Sequence, residues 1–124
     1  MKNKTGCNIN TIHYYFVGPL NLNRHTKLAT TVTGVNLPLS ADEFDALDFL
    51  AVHKDESMSF EQLYSAVWDD AGDTACKRET ARQRLDNLLA LVEEAGEGFM
   101  WIEYDHEEGY TFKTRWADYW HTIP

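Results

Sequence analysis

Between residues 77 and 84 the chain carries four of its eleven Lys and Arg residues, Lys77, Arg78, Arg82 and Arg84, opposed there by Glu79 alone. This is the sole basic cluster in a chain whose net charge is −9. Guanidinium and ammonium groups gathered in this way bind anions, phosphate above all, through charge and through the forked N–H donors of Arg. Thr80, Gln83 and Asn87 lie among them at i, i+3 and i+7. On a helix that spacing puts all three on one face. Gln and Asn can each pair with the N6/N7 edge of adenine, and Thr suits a base edge or a thymine methyl. Lys77 and Arg84 flank the row on one side and Arg82 on the other, placed for phosphates or guanine edges. The chemistry on offer is non-covalent recognition of a polyanion. A solvated helix face with surface ion pairs of small energetic value fits the same residues.

Other groupings carry less. Ser40, Ser57 and Ser59 lack a His/Asp constellation, and Ser40 and Ser59 read as helix caps. His13, His25, His53, His106 and His121 never fall at metal-ligand spacing, and Cys7 and Cys76 form no C-x-x-C pair. Two thiols in a reducing cytosol explain the cysteines more simply than a disulfide. Asp69, Asp70 and Asp73 lack the glycine and terminal glutamate spacing of a calcium loop, so they read as an acidic turn. Trp68, Trp101 and Tyr110 read as packing around a helix pair rather than as a ligand cage. No phosphate-cradling glycine loop is present. The sequence therefore implies no enzyme, metal, cofactor or small-molecule substrate.

A helix must carry the basic cluster. Ala81, Leu85, Leu88 and Val92 fall at i, i+4, i+7 and i+11, one buried stripe of a helix spanning about 75–95, with Gly96 and Gly98 as its stop. Two shorter helices precede it. Ser40 with Glu43 and Ser59 with Gln62 have capping-box spacing. Phe44, Leu47, Phe49, Leu50 and Val52 supply one apolar face, and Leu63, Tyr64, Val67 and Trp68 the next. Before them, turn-separated runs from about Tyr14 to Leu39 predict three or four short antiparallel strands. After them, Phe99–Tyr104 and Tyr110–Lys113 predict a hairpin joined by Asp105-His106-Glu107-Glu108-Gly109. The order is strands, three helices, hairpin: an α+β winged helix-turn-helix with a small N-terminal antiparallel sheet and a C-terminal β-hairpin wing.

Bulk properties agree with one domain. The chain has 124 residues, 44% hydrophobic and 25% charged, ordinary values for a globular protein. No apolar run approaches membrane-spanning length, and the basic start leads into no signal-peptide core, so a cytoplasmic protein without a membrane partner is expected. Residues 1–12 read as a flexible N-terminus, 13–115 as the winged-helix domain, and 116–124 as an aromatic tail.

From about Phe16 to Phe112 the sequence resembles the OmpR/PhoB-type response-regulator effector domain. Gly18-Pro19-Leu20-Asn21-Leu22, then Gly34, then Leu39-Ser40-Ala41-Asp42-Glu43-Phe44-Asp45-Ala46-Leu47 follow the family's opening strand, Gly turn and Leu-Thr-x-x-Glu-Phe-x-x-Leu helix. Ser59-Phe60-Glu61-Gln62-Leu63-Tyr64-Ser65-Ala66-Val67-Trp68 follows Ser-x-x-x-Leu-x-x-x-Val-Trp, and Gly109-Tyr110-Thr111-Phe112 follows Gly-Tyr-x-Phe. The resemblance implies a DNA-binding transcriptional regulator without a receiver domain. The helix at about 75–95 would enter the major groove of double-stranded DNA through Lys77, Arg78, Thr80, Arg82, Gln83, Arg84 and Asn87. The hairpin, with Tyr104, His106 and Lys113, would lie along the backbone. It also implies a homodimer, since family members often bind as tandem dimers on direct repeats. The sequence departs from the family in the helix at about 75–95, where Asp86, Asn87 and Leu89 stand at positions usually basic, and at the wing. There the usual Arg-Gly-x-Gly-Tyr becomes His106-Glu107-Glu108-Gly109-Tyr110, with Glu103 and Asp105 adding negative charge. These departures fit an alternative: a protein-interaction module or DNA mimic on the same fold.

Overall fold

Two serines start the first two helices by the same local device. In the computed structural model, which describes residues 13–69 and 74–115, α1 spans Ala41–Val52 and α2 spans Phe60–Val67. Ser40 caps Glu43 N–H while the Glu43 carboxylate accepts the Ser40 N–H at 2.9 Å; Ser59 and Gln62 repeat the exchange at 3.1 and 2.7 Å. Each cap is worth about 1 kcal/mol. α3 spans Ala75–Gly96, with Thr74 as its N-cap.

Three strands precede the helices: β1 Tyr14–Val17, β2 Leu20–Asn23 and β3 Leu28–Thr31, antiparallel in the order β1-β2-β3. The fourth segment allowed by the sequence, Val35 to Leu39, forms a single bridge from Asn36 to Thr30 and no strand. Alternation sends Leu20, Leu22 and Ala29 into the core and leaves Tyr14, Phe16 and Leu28 exposed. The sheet is tied to α1 through Asp48, which receives the Tyr15 hydroxyl and the Arg24 guanidinium, the latter at 2.9 and 3.1 Å.

The hairpin consists of β4, Met100–Asp105, and β5, Gly109–Thr114. It is docked by a two-way bridge: Met58 N–H to Tyr110 O at 2.7 Å and Tyr110 N–H to Met58 O at 2.8 Å. Gly109 makes this approach possible. Its φ is +105°, and a Cβ there would stand 2.2 Å from the Met58 carbonyl oxygen.

The core is the junction of these parts. Leu47 and Leu50 of α1, Leu63 and Tyr64 of α2, and the whole α3 stripe Ala81, Leu85, Leu88 and Val92 are buried together with Met100 and Phe112. Each such large apolar side chain stabilises the fold by roughly 1.5–3 kcal/mol relative to exposure. Trp68 is buried, and its indole N–H donates to Asp42 at 3.0 Å.

The end of α3 differs from expectation in its cap. Gly96 lies inside the helix, where its missing side chain leaves room for Met100, and Glu97 takes the left-handed cap at φ 48°. The helix ends within one residue of the expected stop, and Gly98, just beyond the cap, has φ +88°. Residues 1–12, the segment 70–73 and the aromatic tail 116–124 lie outside the described residues.

Candidate nucleic-acid interface

α3 buries one stripe and exposes the rest, so the basic cluster is divided between its two flanks. On the α2 flank, Arg78 makes a bidentate pair with Glu61 at 2.6 and 2.8 Å and lies over the Tyr64 ring at 4.6 Å. One turn on, Arg82 lies over the Phe60 ring, 3.9 Å from its centroid. Arg82 makes no ion pair among the described residues, and its side chain is exposed.

On the α1 flank, Arg84 approaches Asp42 at 3.5 Å with its side chain 45% exposed. Asp42 is a negative anchor for this flank. Burial works to raise its carboxyl, but bonds from the Ser40 hydroxyl and the Trp68 indole, the Arg84 charge and the Glu43 N–H hold it below the usual aspartate range. Lys77 is half-buried in the first turn, where its N–H donates to the Thr74 hydroxyl at 3.0 Å.

Between the flanks lie Thr80, Gln83 and Asn87, all exposed as residues. Their donors are not equally available. Thr80 turns its hydroxyl back onto the Cys76 carbonyl at 3.1 Å. Asn87 donates its amide to the buried Glu43 carboxylate at 2.8 Å. Gln83 makes no side-chain hydrogen bond among the described residues. Glu79 and Asp86 are exposed on the same helix, so its outer surface is mixed in sign.

The wing separates the residues that the sequence grouped on it. Tyr104 pairs across the hairpin with Tyr110, ring centroids 4.8 Å apart. Lys113 pairs with Trp101 and so stands on the opposite side of the hairpin. His106 is at the exposed tip, 4.0 Å from Asp105. The Asp105 carboxylate accepts the N–H groups of Glu107 and Glu108, which hold it below the usual aspartate range. The tip is thus an ordered acidic turn. Burial raises the Tyr110 hydroxyl, and so do Tyr104 and Asp86; Arg82 acts in the opposite sense, so α3 and wing share one electrostatic environment.

Sequence reasoning did not foresee Phe60 and Glu61 as partners of the α3 arginines, nor Glu43 as the partner of Asn87. The four-residue spacings 78/82 and 60/64 were the available signal, but they say nothing until the helix crossing is known. Among the described residues no group of three or more His, Cys, Asp or Glu could hold a metal, and no helix is long and apolar enough to cross a membrane.

A three-stranded sheet, three helices with the third presenting its outer face, and a closing hairpin define an α+β winged helix-turn-helix domain. More narrowly, the chain has the fold of the OmpR/PhoB-type response-regulator DNA-binding domains. No family model and no curated protein matches the sequence. Solved structures do. The chain is similar to the DNA-binding domain of CpxR from E. coli, at 25% identity and a TM-score of 0.62, covering 82% of this chain and 96% of that one. The DNA-binding domain of RstA from Klebsiella pneumoniae, in complex with the RstA box, matches at 25% identity and a TM-score of 0.58, over 82% and 98% of the two chains. The AdeR DNA-binding domain, in complex with an intercistronic region, shares the fold at 14% identity and a TM-score of 0.65, over 81% and 99%.

Proposed function

We propose that this chain is a sequence-specific DNA-binding transcriptional regulator whose recognition helix is α3. The observation that carries the reading is Arg82: an exposed guanidinium on the outer side of α3, held against an aromatic ring instead of a carboxylate, next to the unengaged amide of Gln83. Two fold neighbours, the RstA and AdeR domains, are solved on DNA. In this reading Arg82 and Arg84 contact phosphates, Gln83 reads a base edge, and Thr80 offers its methyl group. Arg78, neutralised by Glu61, contributes position more than charge. Lys77 supports the first turn. The family likeness supports a tandem mode in which two copies bind direct repeats, and sedimentation of the protein on one-site and two-site duplexes distinguishes one copy from two.

A second reading has its own observation. The acidic tip formed by Asp105, Glu107 and Glu108 is ordered and exposed, and would repel phosphate. A protein-interaction module with a basic partner, or a DNA mimic, would use that surface.

The test is a titration against a pool of random duplexes, with selection of the bound fraction. Arg82→Ala with Arg84→Ala should weaken binding and lower the slope of log K against log salt by about 0.9 for each phosphate no longer neutralised. Binding that is unchanged in the double variant contradicts the assignment of α3. Absence of saturable duplex binding by the wild type favours the second reading.

A further inference from the structure

The first turns of α2 hold both arginines on that flank of α3, and they hold them differently. Arg78 is clamped by two hydrogen bonds to Glu61 and lies over Tyr64 at 4.6 Å, with the Phe60 ring more distant at 5.8 Å. Arg82 has the Phe60 ring alone, at 3.9 Å from the centroid, a shorter approach than any of the 4.6–5.8 Å cation–ring distances elsewhere among the described residues. From this difference we infer that Phe60 is a positioning residue: its ring fixes the Arg82 guanidinium for a phosphate oxygen of the DNA. The inference rests on the DNA-binding reading above and adds a residue to it.

The two arrangements leave different groups available. A carboxylate fork occupies the in-plane N–H donors of a guanidinium and cancels its charge. A ring beneath the plane takes one face and leaves both donors and charge in place. Arg82 therefore remains able to bind a phosphate with two hydrogen bonds, whereas the fork of Arg78 is already occupied by Glu61.

The ring is itself held. Phe60 is the first residue of α2, directly behind the reciprocal Ser59–Gln62 cap, and it stacks on the buried Tyr64 at 5.7 Å and 27°. A guanidinium resting on a fixed ring loses less freedom when it binds than one that samples solvent.

There is also a competitor. Asp86 lies one helical turn beyond Arg82, at the i+4 spacing that favours an ion pair. Both groups act on Tyr110, in opposite senses, so both lie near the wing. No ion pair joins them among the described residues. Among the described residues, Glu61 is taken by Arg78, and Glu79 is exposed on the α3 surface itself. Phe60 keeps Arg82 on the α2 side, away from Asp86. A residue without a π face releases it.

The test uses Phe60→Leu, Phe60→Tyr and Arg82→Ala, each alone, and Phe60→Leu combined with Arg82→Ala, all checked for cooperative unfolding. Phe60→Leu should weaken binding to a selected duplex by about two- to fivefold, and Phe60→Tyr should restore it. In the Arg82→Ala background Phe60→Leu should weaken binding far less, because the group it positions is gone and only its 5.8 Å contact with Arg78 is left to lose. NMR of the free protein reads the position directly: the Arg82 side-chain protons should be shifted upfield by the ring in the wild type and in Phe60→Tyr, and relax to ordinary values in Phe60→Leu. Equal weakening by Phe60→Leu in both backgrounds, or an unshifted Arg82 in the wild type, overturns the positioning role. Should the wild type bind no duplex, the DNA reading falls, and the Arg82 proton shifts alone decide whether the ring holds the guanidinium.

Discussion

Asn87 of α3 donates its side-chain amide to the Glu43 carboxylate of α1 at 2.8 Å, and the other oxygen of that carboxylate closes the capping box on Ser40. Glu43 is 3% exposed, so one buried charge joins the start of one helix to the middle of another. A residue that the sequence offers as a base reader thus gives one of its amide hydrogens to the protein's own packing.

Asn87→Ala should consequently act on stability first. It strips a hydrogen bond from a buried carboxylate, which costs about 1–3 kcal/mol. Urea unfolding measures that loss. Binding of the folded variant to a selected duplex should stay within about twofold of the wild type. A large loss of affinity confined to duplexes with adenine at one position would instead make Asn87 a reader.

This pair also marks how far the sequence could be read. Ser40/Glu43 and Ser59/Gln62 were legible because a capping box is complete within four residues. The stripe Ala81, Leu85, Leu88, Val92 was legible because burial imposes the helical period on it. Gly109-Tyr110 was legible through its likeness to the family's Gly-Tyr-x-Phe, and the close approach to Met58 that requires the glycine is visible only in the fold. Arg78 with Glu61, Arg82 with Phe60 and Asn87 with Glu43 were not, since each depends on how two helices cross, and a polar face shows no period that encodes its partner. The end of α3 was legible to within one residue, but not which residue takes the left-handed cap. Gly96 serves tertiary contact with Met100, and Glu97 accepts the strained cap, a choice that local glycine preference does not foresee.

Gly109→Ala should be among the most damaging small changes to the hairpin. The new methyl would stand 2.2 Å from the Met58 carbonyl oxygen at a backbone φ of +105°. The Met58–Tyr110 bridge must then open or the backbone must leave its conformation. We expect a loss of at least about 2–3 kcal/mol, read from chemical denaturation. Faster amide exchange at Tyr110 and Met58 than in α3 would localise it. An unfolding midpoint equal to the wild type's would show that the wing is not docked as described.

Acid should weaken the α1–α3 flank through Asp42. Burial pushes this carboxyl up, but the Ser40, Trp68 and Arg84 interactions outweigh burial and hold it below its ordinary range in the folded protein. A depressed folded value means that the unfolded chain takes up the proton first. The stabilisation is therefore complete above the ordinary aspartate value of about 4 and is lost as pH falls through the lower folded value. Asp42→Asn removes this linkage. Its urea midpoint should lie furthest below the wild type's near neutrality and approach it as pH falls through the lowered folded value. A constant gap across that range would show that Asp42 does not titrate differently on folding.

The acidic tip tests whether the wing opposes DNA. Asp105 organises the turn by accepting the Glu107 and Glu108 N–H groups, so it should be left intact, while the Glu107 and Glu108 side chains are exposed and can be changed without disturbing the hairpin. Carboxylates beside phosphates repel at a distance that salt screens over about 10 Å at 0.1 M. Glu107→Lys with Glu108→Lys replaces that repulsion by attraction. Duplex affinity should rise most at low salt, and the slope of log K against log salt should steepen by up to about 0.9 for each phosphate newly neutralised. Unfolding stability should stay within about 0.5 kcal/mol of the wild type, as for other surface changes. If the affinity and slope do not move while the protein remains folded, the wing lies away from the DNA, and recognition rests on α3 alone.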